Sequence, residues 1–165
     1  MTITASFTNM TKDTKPKLDE NFVADQVRQI IEKLGVSATA EVSREGDIYF
    51  VDISSEDSSL LIGKYGSNLE SLQFILAVRI KTITGVEDFE LMVDVDGWRR
   101  QREEKLKNMA LSVADKVAET KVPEPLYNLK PYERKVIHTA LTDHPAVTTV
   151  SEGEDLERHL IVKPR

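Results

Sequence analysis

Two glycines three residues apart, Gly63 and Gly66, join two stretches whose apolar residues repeat at helical spacing, and that joint constrains the fold more than any other feature. Before it runs a short helical stretch from Ser54 to Ile62, with Ser54 or Ser55 as its cap and Glu56 and Asp57 in its first turn. After it, Leu69, Leu72, Ile75, Leu76 and Ile80 make one stripe of a helix that Gly85 ends. The tetrapeptide Gly63-Lys64-Tyr65-Gly66 therefore reverses the chain between two helices, with backbone freedom that glycine supplies at no steric cost. On these four residues alone, an ordinary helical turn and a loop open to close approach by a ligand stand level.

The flanking segments supply a definite order. Phe22, Val23, Val27, Ile30, Ile31 and Leu34 predict a helix that starts at Asp19 and stops at Gly35. Ala38–Ser43 and Ile48–Ile53 read as two strands joined by a turn at Arg44-Glu45-Gly46-Asp47. Phe89, Leu91, Val93 and Val95 alternate with Glu90, Met92 and Asp94, as a strand with one buried face does. The order to this point is α-β-β-α-α-β. Gly97 breaks the pattern, and a helix runs from Trp98 to about Glu119 with Leu106, Met109, Ala110, Val113, Val117 and Ala118 turned inward. Pro123 and Pro125 interrupt the chain, Pro131 opens a helix over Tyr132–Leu141, and Val147–Val150 with His159–Val162 form a last hairpin around Glu152-Gly153-Glu154. Residues 1–17, Thr-rich and polar, are expected to be a disordered tail. The α+β reading thus has one module over 18–96 and a smaller one over 97–165.

Charge supports the division. The whole chain carries −6, but residues 1–96 hold 9 Lys and Arg against 17 Asp and Glu, while residues 97–165 hold 13 against 11. A net of −8 beside a net of +2 marks two modules with different electrostatics. With no cysteine, disulfides and thiolate metal sites are excluded, and His138, His144 and His159 match no metal-ligand spacing, so no metal or cofactor is expected. No apolar run approaches the roughly 18 residues of a membrane span, and the N-terminus lacks a secretory centre, which points to the cytoplasm.

Arg134 and His138 lie one helical turn apart on one face, with Lys135 beside them. Such a face is a solvated surface, a phosphate-binding surface, or the setting of a catalytic histidine. The last lacks a neighbouring nucleophile or orienting carboxylate, and Gly63–Gly66 is too short for a nucleotide-binding P-loop, so no enzyme is expected. Arg99, Arg100, Arg102, Lys105 and Lys107 begin the long helix, either as a solvated face paired with Glu103 and Glu104 or as more phosphate-contacting surface. Glu133 reads as surface charge paired with Lys130, and Arg158, His159 and Lys163 extend the basic face. Trp98 reads as an anchor, and Tyr65 as an exposed ring able to stack on a base.

The loop within its α-β-β-α-α-β frame matches a type II KH domain. In that reading backbone amides at Gly63, Lys64, Tyr65 and Gly66 meet nucleic-acid phosphates at a helix N-terminus. Leu61, Ile62, Leu69 and Ile48–Ile53 would line an apolar groove for bases, and Lys64, Arg79 and Lys81 are its nearby cations. The second module resembles the R-3-H domain, named for Arg-x-x-x-His, here Arg134 and His138. Asp94–Arg100, Pro131–His138 and Thr149–Glu154, with Leu61–Gly66 and Leu69–Gln73, are together similar to the Jag family, also called SpoIIIJ-associated or KhpB-type proteins, over roughly residues 20–165. The resemblance implies a bacterial single-stranded RNA binder in post-transcriptional control linked to cell elongation and division, with a smaller KH protein as partner. It also implies a chain without the Jag-N domain, since about twenty polar residues precede the first helix. The acidic first module keeps a different reading open, a protein-interaction scaffold in which RNA is incidental, and single-stranded DNA stays open as a ligand.

Overall fold

Asp19 starts the first helix by accepting the Phe22 N–H on its carboxylate at 3.0 Å. Helix α1 (Glu20–Lys33) then buries Val23, Val27 and Ile31. The computed structural model describes residues 17–165, so the tail expected over 1–17 lies outside the described residues except for Lys17. Contacts divide the chain after Asp96 into two units.

In the first unit, β1 (Ala38–Glu45) and β2 (Ile48–Ser55) form a hairpin, and β3 (Glu90–Val95) lies parallel to β2 at the other side. A parallel neighbour needs a crossover. Here α2 (Ser58–Ile62), the glycine loop and α3 (Ser67–Thr84) provide it. Tyr49, Val51 and Ile53 of β2 and Leu91, Val93 and Val95 of β3 face Leu69, Leu72, Leu76 and Ile80 of α3 in the core. Burial raises the pKa of the Tyr49 phenol, whose hydroxyl donates to the Leu18 carbonyl at 3.1 Å.

Two expectations fail here. Ser54 and Ser55 do not cap a helix, because they complete β2 opposite Thr39 and Ala38. Ser55 instead donates to the Ser37 carbonyl at 2.7 Å and accepts the Asp57 N–H at 3.1 Å. Ile75 leaves the buried stripe and is 53% exposed. It precedes Leu76 by one residue, about 100° around the helix.

The second unit is built on α4 (Trp98–Thr120), which buries Leu106, Ala110, Ala114 and Val117. Ala114 replaces the expected Met109, which is exposed, and Val113 and Ala118 pack at the core's edge. Where the prolines promised only an interruption, β4 (Glu124–Leu126) pairs with β6 (His159–Pro164). A proline is tolerated there because β4 is an edge strand, in the order β4-β6-β5 with β5 at Val147–Glu152.

Helix α5 (Pro131–Leu141) turns Glu133, Ile137 and Leu141 inward. Glu133 is fully buried and is not the surface charge its sequence suggests. Arg102 of α4 donates to one carboxylate oxygen at 2.7 Å, and the Lys130 backbone N–H donates to the other at 2.9 Å. One carboxylate thus joins α5 to α4 and satisfies a backbone donor at the α5 start. Removing one member of a buried pair strands the other. Glu133→Ala is therefore expected to cost the second unit about 3 kcal/mol, and Glu133→Gln less because its amide oxygen keeps an acceptor. Urea unfolding followed by the fluorescence of Trp98, the chain's single tryptophan, measures both.

Candidate nucleic-acid interface

The glycine loop has a conformation that its sequence only partly implies. Gly63 has φ 69° and ψ −174°, a region open essentially to glycine alone. Lys64–Gly66 make a single 3-10 turn with Tyr65 left-handed at φ 53°, and Gly66, at φ 77°, leads into α3. Asn68 explains the first glycine. Its side-chain amide donates to the Leu60 carbonyl at 2.9 Å, and a Cβ on Gly63 would lie 2.5 Å from its Cγ. Asn68 thus ties the end of α2 to the start of α3. Sequence reasoning missed it, the only signal being a polar residue just past the second glycine.

Lys64 lies over the exposed Tyr65 ring, 5.4 Å from its centroid. Arg79 and Lys81 do not supply the loop with charge. Arg79 bonds Gln26 at 2.8 Å and Gln29 at 2.7 Å on α1, and Lys81 pairs with Glu87 at 3.9 Å. An apolar groove of about 230 Å³ adjoins the loop, lined by Ile30 and Leu34 of α1, Leu60 and Leu61 of α2, and Asn68 and Ile75 of α3. Of the lining expected from sequence, only Leu61 takes part. Leu69, Tyr49, Val51 and Ile53 are core, because the helices cover that face of the sheet.

In the second unit, the inward row Glu133–Ile137–Leu141 leaves Arg134, Lys135 and His138 on the outer side of α5. They line an open cleft of about 410 Å³ with Thr149 and Ser151 of β5 and with Arg158. Arg134 is fixed by donating to the Leu129 carbonyl at 2.7 Å and the Arg158 carbonyl at 3.4 Å. His138 Nδ1 lies 2.6 Å from the Thr149 hydroxyl. Alternate residues share one strand face, so a strand at this position could have paired Thr149 with Ser151, but not either with α5.

Arg99 and Arg100 are not among the residues lining this cleft. Arg100 pairs with Glu104 at 3.3 Å, Lys107 with Glu103 at 2.6 Å, and Arg102 serves Glu133. Much of the basic cluster read from sequence is thus engaged along α4 and its contact with α5. Among the described residues, no group of three His, Cys, Asp or Glu can hold a metal ion, and no helix is long and apolar enough to cross a membrane.

Comparison with known proteins finds similarity over the second unit and over the wider chain. Residues 104–164 match the R-3-H domain family. The chain is 35% identical over 112 residues to the RNA-binding protein KhpB of Clostridium symbiosum, covering 68% of this chain and 50% of that protein. It is 32% identical over 143 residues to the KhpB of Lactiplantibacillus plantarum, 87% of this chain and 44% of the relative. With the Bacillus subtilis KhpB it shares 33% over 112 residues, 67% of this chain and 53% of the relative. The chain spans about half the length of the curated relatives it matches.

Because Gly63 combines a glycine-only backbone with contact against Asn68, Gly63→Ala is expected to cost about 2 kcal/mol. Asn68→Ala, which removes the bond to the Leu60 carbonyl and a longer one from the Ser67 hydroxyl, should cost about 1 kcal/mol. Amide hydrogen exchange across α2 and α3 reads both, with the larger loss of protection expected for the glycine variant.

Proposed function

The chain belongs to the KhpB, or Jag, family and carries an R-3-H domain, and from that premise we propose that it binds single-stranded RNA and catalyses no reaction. One observation carries the reading. Arg134, Lys135, His138 and Arg158 converge on an open cleft whose other wall offers the hydroxyls of Thr149 and Ser151. Cations fork or point toward phosphate oxygens, and hydroxyls accept or donate to phosphate and sugar. Arg134 is held in place by carbonyls before any ligand arrives, so little side-chain ordering is left to oppose binding.

In this reading the first unit is a KH module, and its contribution comes from the side chains of the glycine loop and the helix that follows. The α-β-β-α-α-β order and the loop at Gly63–Gly66 support it. Lys64 adds one charge, Tyr65 offers a stacking surface and the α3 N-terminus adds its dipole, while the Gly63 and Gly66 N–H groups expected to meet phosphate instead donate to the Ser59 and Gly63 carbonyls at 3.0 and 3.4 Å. The regulatory setting, post-transcriptional control in the bacterial cytoplasm tied to cell elongation and division, rests on the family alone.

A second reading has its own support. Phe74, Ile75 and Val78 of α3 are 69%, 53% and 46% exposed, in a unit of strong negative charge. Exposed apolar residues on an acidic body favour contact with protein over contact with phosphate. The first unit would then serve as a scaffold for a partner KH protein.

Binding of a labelled single-stranded RNA pool across a salt series separates the readings. Affinity should fall with salt at a slope of about −0.7 per phosphate contact. Arg134→Ala/His138→Ala should weaken binding about tenfold or more and flatten that slope. A further loss in Lys64→Asp/Tyr65→Asp places the first unit on RNA, and no loss there assigns that unit to protein contact. No binding by the natural chain at low salt ends the RNA reading.

A further inference from the structure

Helix α5 has a second flank that the cationic cleft does not use. Arg134 and His138 turn to one side of the helix, and Tyr132, Val136 and Ala140 turn to the other, with Lys135 exposed on the crest between them. On that second side α5 and α4 enclose a largely apolar groove of about 480 Å³, floored by Val136 and Ala140 and walled by Tyr132 and by Leu111 of α4. The volume is within the roughly 300–1,000 Å³ of small-ligand sites. Tyr132 is 41% exposed and Leu111 48%, so both present surface to an occupant. The rim carries Lys107 and Lys135, and its one carboxylate, Glu103, is engaged by Lys107 at 2.6 Å.

Continuity identifies the occupant. Lys135 lines both depressions, so whatever places phosphate against Arg134 and His138 reaches the groove by crossing one helix. A helix with its side chains is about 10 Å across, a step that one or two nucleotides of an extended strand span. An apolar floor with an aromatic wall behind a cationic crest fits a flat unpaired base attached to an anionic backbone. We propose that the groove between α4 and α5 is a nucleobase subsite, taking an unpaired base of the same strand whose phosphate occupies the Arg134–His138 cleft. This rests on the RNA-binding reading of that cleft and adds to it that the second module holds bases as well as phosphates.

The test compares a short single-stranded RNA with an abasic strand of equal length, on the full chain, at several salt concentrations. The natural chain should bind the base-containing strand roughly tenfold more tightly. Tyr132→Leu keeps an apolar side chain but removes the ring, and Leu111→Ser opens one wall without adding charge. Each should remove most of that preference while leaving the salt slope unchanged, since the phosphate contacts persist. If the preference survives intact in both variants, the groove is not the base subsite and serves another occupant such as a protein helix. That outcome leaves the cleft reading standing, because the salt slope and its loss in Arg134→Ala/His138→Ala report on the cleft separately. A 5-iodouridine strand crosslinked by light gives a readout free of folding effects. Adducts on Tyr132 support the subsite, and adducts confined to other segments overturn it.

Discussion

The buried pair between Arg102 and Glu133 decides what the second unit can present. Glu133 sits in the first turn of α5 with no exposure, and both its oxygens are taken, one by a guanidinium and one by a backbone N–H. An acid in that position pays for its desolvation only if both partners are in place. Satisfying them fixes α5 against α4 in rotation as well as position. Once Glu133, Ile137 and Leu141 face inward, the 3.6-residue repeat leaves Arg134, Lys135 and His138 no choice but to face out. The cleft therefore depends on a residue that does not line it.

The two units present different surfaces. The first holds one lysine in its loop and a strongly acidic balance, so its case for phosphate rests on that lysine and a helix terminus. Its glycine conformation is held from below by Asn68, which makes the loop a fixed surface rather than a slack connection. The second unit gathers four cationic or imidazole groups around one cleft, with much of the remaining positive charge on α4 committed to ion pairs. Net charge of the whole chain is thus a poor guide to either surface, because local arrangement sets the potential a ligand meets.

Periodicity made the long elements legible. Val23, Val27 and Ile31 of α1, Leu91, Val93 and Val95 of β3, and Leu106, Ala110 and Val117 of α4 are buried in the rhythm their spacing announced. The short elements were not legible, since local signals there point in several directions. Ser54 and Ser55 have good capping chemistry yet pair as strand, and Pro125 reads as a break yet sits in β4. In both cases pairing with another strand settles the matter, the hairpin partner β1 for the serines and the remote β6 for Pro125, and pairing outweighs local preference.

The order of the long elements, the break near Gly97, and the placing of Arg134 and His138 on one helix face are settled by the chain alone, because each follows from stereochemistry over a few residues. The chain also carried the family resemblance through those motifs. Packing at longer range decided that Thr149 and Ser151 join that face, that Arg102 is spent on Glu133, and that Asn68 underlies Gly63. Those are meetings between residues 5 to 31 positions apart, selected by packing that buries apolar area and satisfies polar groups across the whole unit. No local rule encodes such a selection, which is why the site's outline was readable from the chain and its partners were not.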